Sequence, residues 1–167
     1  QNSSASAQVN CYKLQVTKSA STAYTTTHSW DIKKVVSPTV ISMFDGDTKP
    51  LSYTIYVTKT GSVDSGYLVT GTIVISNPAP LAATVNSVSD VLTGGINGTV
   101  SCGSFPKTIA AFGTLSCPYT AAPGNGAGRT NTATAVQQVN PSVTKSYSGT
   151  AGVTFPGTGT TQVNGTV

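Results

Sequence analysis

Cys102 and Cys117, His28, five aspartates and a scatter of lysines and asparagines are the residues of this chain that could do chemistry. There is no glutamate. The two cysteines flank the turn-rich segment Gly103-Ser104-Phe105-Pro106, and each lies in a strand-like stretch. They are expected to form a disulfide, which would close a loop stabilising by roughly 3 kcal/mol in the chain-entropy model. The alternative is two buried free thiols. Cys11 is the odd one, either buried or paired with another chain. His28 has no acid or nucleophile placed beside it, and no nucleophile-elbow motif accompanies the many serines. Asp45-Gly46-Asp47 offers too few oxygens for calcium, which takes six to eight, so a plain turn is expected. No CxxC or Cys/His spacing suits zinc. The expectation is no catalytic residues, no metal and no cofactor: the chain does not read as an enzyme.

Three sequons remain, Asn2-Ser3-Ser4, Asn97-Gly98-Thr99 and Asn164-Gly165-Thr166. Asn2, Asn97 and Asn164 are the candidate glycosylation sites. Their chemistry matters because charged residues are only 8% of the chain, against about 25% in ordinary domains. Sugars and hydroxyls would have to keep such a surface wet; Ser and Thr together exceed a quarter of the residues. The net charge is +4, but the bases are scattered, without the basic stripe that nucleic acid requires. No apolar run is long enough for a membrane-spanning helix. The opening Gln1-Asn2-Ser3-Ser4 reads as a mature terminus after leader removal, and with the expected disulfide the expectation is a secreted chain, extracellular or on the cell surface.

These residues sit in a chain of strands. Tyr12, Leu14 and Val16 alternate with Lys13, Gln15 and Thr17; Tyr24, Thr26, His28, Trp30 and Ile32 share a face; residues 51–58 and 67–75 repeat the pattern. Period two with β-branched and aromatic residues predicts half-buried strands. Further strands are predicted at 81–91, 98–102, 114–121, 129–138, 146–155 and 159–167, with no helix beyond a turn or two. Turn formers separate them, among them Thr60-Gly61, Gly94-Gly95 and Asn77-Pro78. Pro78 and Pro80 cannot donate to a ladder, so pairing must stop there. Trp30, amid alternating hydrophobics, is expected in the core rather than on a sugar-stacking platform. The repeated Thr-Xaa-Thr pairs read as cross-strand contacts on a solvated sheet.

Leu14-Gln15-Val16-Thr17-Lys18, Trp30-Asp31-Ile32-Lys33-Lys34, Tyr53-Thr54-Ile55-Tyr56-Val57-Thr58, Gly71–Pro80, Val88–Leu92, Leu115–Tyr119 and Thr130–Thr134 resemble a secreted immunoglobulin-like repeat of bacterial and algal surface proteins. The likeness covers roughly residues 14 to 155 and extends to the conserved repeats of giant surface adhesins. It implies an all-β, immunoglobulin-like antiparallel β-sandwich in stalks and fibres, some of them glycosylated filaments. Lys–Asn isopeptide cross-links occur in some fibrous immunoglobulin-like domains; they need a buried acid, and Asp is scarce here.

The expected organisation is an N-terminal arm and candidate donor strand (1–20), a sandwich (21–156) and a C-terminal strand or tail (157–167). A terminal strand preceded by loose residues can add to a neighbour's sheet, and a repeated head-to-tail contact makes an open filament. The expectation is a fibre subunit whose partners are further copies of itself and covalent glycans. Its N-terminal strand would be donated, with Tyr12, Leu14 and Val16 filling pockets. The alternative is a monomeric cell-surface adhesin or carbohydrate-binding module.

Overall fold

A computed structural model describes residues 6–164, with side chains to residue 161. The described residues are all-β, without a helix, in a curled, mixed, largely antiparallel sheet. Ten strands follow in order: β1 (Gln15–Lys18), β2 (Ser21–Ser37), β3 (Ser52–Ser76), β4 (Ala83–Leu92), β5 (Ile96–Val100), β6 (Lys107–Ile109), β7 (Thr114–Ala121), β8 (Arg129–Asn140), β9 (Val143–Val153) and β10 (Thr160–Asn164). The chain forms two compact units, one from residues up to Ala23 with Gly66–Pro156, the other from Tyr24–Ser65 with residues from Gly157 on. β2 and β3 contribute to both.

The first unit holds the core. Antiparallel ladders join β1 to β3, β3 to β7, β7 to β5, β5 to β4, β4 to β8 and β8 to β9. β5 makes the curl: Thr99 and Val100 pair with β7, while Ile96, Asn97 and Gly98 pair with β4. The buried rows share one core: Val69, Ile73 and Ile75 of β3, Cys117 and Tyr119 of β7, Val85 and Leu92 of β4, Ala133 and Ala135 of β8 and Val153 of β9. Leu14 joins this core, and Val16 packs on its margin. Burying each large aliphatic side chain contributes about 1.5–3 kcal/mol.

Two local details set the geometry. A β-bulge in β4 between Val85 and Ser87 shifts the register against β8. The extra residue reverses which alternate side chains face inward, so Ala83 and Val85 are buried before it, and Asp90 and Leu92 after it. At Asn77 the chain leaves β3 for the Pro78–Pro80 break. The buried Asn77 amide donates to the carbonyls of Leu81 at 2.7 Å and Ala110 at 3.0 Å, and its oxygen accepts from Ala79 N–H. These bonds replace the ladder that the prolines cannot continue.

Among the described residues, the second unit is a sheet without such a core. β10 runs parallel to β2, pairing Thr160–Asn164 with Thr25–Ser29, and β2 neighbours β3. Thr26 Oγ1 donates to Asp64 at 2.6 Å, and the Lys34 ammonium lies over the Tyr53 ring. The predicted strands at 51–58 and 67–75 are one uninterrupted strand, β3. Gly61, read as a turn residue, lies inside it with open space where a side chain would be. A glycine weakens a strand interior but does not break it when a neighbour holds the backbone.

Candidate functional site

Along the second unit, period two persists but burial does not. On β2, Tyr24 is buried, Thr26 and His28 are half-buried, and Trp30 and Ile32 are exposed. On β3 every residue from Ser52 to Asp64 is exposed, including Tyr53, Ile55, Tyr56 and Val57, with Ile55 at 61%. Trp30, expected in the core, is 41% exposed. Its alternation marks a face correctly, but no layer of the described residues covers that end. β1 and β7 pair with β3 only between Val69 and Ser76. The stretch 52–65 therefore has β2 along one edge and, among the described residues, no strand along the other. An open edge with apolar side chains on both faces is a template for further strands.

The predicted site residues fall in different places. Cys102 and Cys117 form the expected disulfide, with Cα atoms 4.7 Å apart, and Cys11 is free and exposed. Asn97 is exposed on β5. Asn2 lies outside the described residues, and Asn164 ends β10 without a described side chain. The Asp45–Asp47 segment is a turn, with Asp47 N–H donating to the Phe44 carbonyl. Of the three residues expected to fill a neighbour's pockets, Leu14 is buried in its own core, Val16 packs beside it, and Tyr12 is half exposed. β1 pairs with β3 of its own chain, Gln15 opposite Ser76 through Lys18 opposite Ile73. Period-two spacing names an inward row but not which sheet receives it.

That same inward row ends in Lys18. Its side chain is fully withdrawn from solvent, as is that of Asp90, and the ammonium donates to Asp90 Oδ1. The Asn131 amide donates to the other oxygen, Oδ2, at 3.1 Å. Asp90 lies opposite Ala133, so Asn131 is its diagonal neighbour on the inner face of β4 and β8. The Lys18 ammonium also sits 3.4 Å from the centre of the Tyr119 ring, whose hydroxyl donates to the Ser19 carbonyl at 2.7 Å. Asn131 is 0% exposed, and its carbonyl oxygen has no hydrogen-bond partner.

Glycines make this close packing possible. A Cβ on Gly98 would lie 2.2 Å from Asp90 Oδ2, and one on Gly71 2.2 Å from the Ser19 carbonyl and 2.8 Å from the Tyr119 ring. Burial pushes the Lys18 pKa below its ordinary value, opposed by the hydrogen bond and charge of Asp90. Burial raises that of Tyr119, opposed by hydrogen bonding with Asn131. No sequence pattern marked these residues as a cluster; the nearest signal was Lys18 closing the row Leu14, Val16.

Comparison with protein-family models, curated proteins and solved structures finds no match to this chain.

Proposed function

We propose that this chain is a structural subunit of an extracellular fibre, joined to further copies of itself by β-strand addition. The observation that supports this most is the uncovered sheet of the second unit: apolar residues on β2 and β3 stand in solvent beside an open edge. Such a surface in an isolated soluble domain favours aggregation, and a second copy supplying a strand would cover it. An added strand bonds through its main chain, so a weakly charged, threonine-rich sequence suits the role.

We read the curled sheet of the first unit as an immunoglobulin-like sandwich, β3 and β7 facing β4, β8 and β9 across one core. With Leu14 in that core, β1 is a poor candidate for the donated strand, and the added segment belongs to the second unit. The disulfide is compatible with an extracellular location. A glycan on the exposed Asn97 would hydrate a surface short of charge.

Negative-stain imaging and size-exclusion chromatography of the full chain test this reading. Filaments are expected from the native sequence, and dispersed monomers from Tyr53→Thr/Ile55→Thr/Val57→Thr, which keeps strand propensity but removes apolar surface. A native chain that stays monomeric across concentration refutes the fibre. The exposed Trp30, with Tyr53 and Tyr56 on the same unit, favours a second reading as a carbohydrate-binding module. Monomers that bind a polysaccharide and lose it on Trp30→Ala would establish that instead.

A further inference from the structure

We propose that Lys18 and Asn131 become joined by an intramolecular isopeptide bond, with Asp90 as the catalytic acid–base residue. This inference is independent of the fibre reading, because it rests wholly on the first unit. Three observations carry it. One buried carboxylate holds the Lys18 amine on Oδ1 and the Asn131 amide on Oδ2. The Asn131 carbonyl oxygen is buried without a donor. Gly98 leaves the Asp90 carboxyl room that any side chain would fill.

The chemistry follows from burial. An ammonium and a carboxylate withdrawn from water have lost much of their hydration, so passing the proton from Lys18 to Asp90 relieves both charges. The neutral amine then has a free lone pair beside the Asn131 amide. Its attack on Cγ forms the new C–N bond and pushes the carbonyl electrons onto Asn131 Oδ1, while the Asp90 carboxyl stays beside Nδ2, the leaving group. The tetrahedral centre collapses by breaking the Cγ–Nδ2 bond, and a proton from Nζ, relayed by Asp90, leaves with Nδ2 as ammonia.

The reactants are Lys18–NH3+, Asp90–COO− and Asn131–CONH2. The products are the secondary amide Lys18–NH–CO–Asn131, Asp90–COOH and NH3, so charge and atoms balance without an oxidant or cofactor. A buried ion pair is replaced by a neutral amide beside a neutral acid, which suits an apolar interior. The Lys18 nitrogen lies over the aromatic face of Tyr119. Geometrically, the bond ties β1, beside β3, to β8 across the core.

Intact mass spectrometry of the full chain, deglycosylated and reduced, decides the matter. The expected mass is that of the sequence less one ammonia, about 17 Da. Trypsin should leave Lys18 uncut, in a branched peptide containing Asn131. Lys18→Arg, Asn131→Ala and Asp90→Ala should each show no such loss. An undiminished mass in the folded native chain overturns the proposal, whatever the variants do. A loss of water, about 18 Da, with Lys18 joined to Asp90 overturns the assignment of Asn131. A covalent ladder of chains overturns the intramolecular form. Retention of the bond in Asp90→Ala overturns the role of Asp90.

Discussion

Replacing Lys18 separates two contributions that the native chain combines. Lys18→Met keeps most of the side-chain volume but removes the proposed tie and leaves the Asp90 carboxylate buried without its countercharge. In the cross-linked native chain that acid is neutral, whereas a buried carboxylate left ionised without a partner in the variant costs about 3–5 kcal/mol. The tie between residues 18 and 131 closes a loop of roughly a hundred residues, for which the chain-entropy model gives about 4.7 kcal/mol. Together these approach the whole stability of an ordinary domain, about 5–15 kcal/mol, so the single variant should be marginally folded at best. Lys18→Met/Asp90→Asn removes the stranded charge while keeping a hydrogen-bonding partner for Asn131. Only the tie is then missing. At about 2–4 °C per kcal/mol for a chain of this size, its Tm should fall roughly 10–20 °C below native by differential scanning calorimetry, with the single variant lower still. A double variant melting within about 3 °C of the native chain would refute the argument that Lys18 anchors a cross-link.

Two further outcomes are expected. Reducing Cys102–Cys117, whose partners are 15 residues apart, should cost about 3 kcal/mol and lower the Tm by roughly 6–12 °C in calorimetry with and without a phosphine reductant; no shift would mean that the loop is held by packing alone. Gly98→Ala places a methyl group against the Asp90 carboxyl, so it should destabilise by about 1–3 kcal/mol as overpacking does and also abolish the ammonia loss in the intact mass.

Much of the fold was legible residue by residue. Ile73 and Ile75, Cys117 and Tyr119, and Ala133 and Ala135 each lie two residues apart on one strand, and all six are buried as period two requires. Gly94 and Gly95 adopt the positive φ that their turn demands. β6 was missed because Lys107–Ile109 is too short to show a period. At Trp30 spacing identifies a face, but whether another layer covers it depends on chain far away in sequence.

The buried cluster was illegible for a related reason. Lys18, Asp90 and Asn131 each look like an ordinary polar strand residue, and strict alternation from Val85 would point Asp90 outward. The bulge at Val85–Ser87 turns it inward, the pairing of β4 with β8 sets Asn131 diagonal to it, and β1 beside β3 supplies the amine. Local sequence determined most of the strands and turns and the cysteine pair, since propensity and alternation act over a few residues. Tertiary structure alone decided which inward polar groups meet and which apolar faces stay bare, because register and curl bring together residues that no local pattern relates.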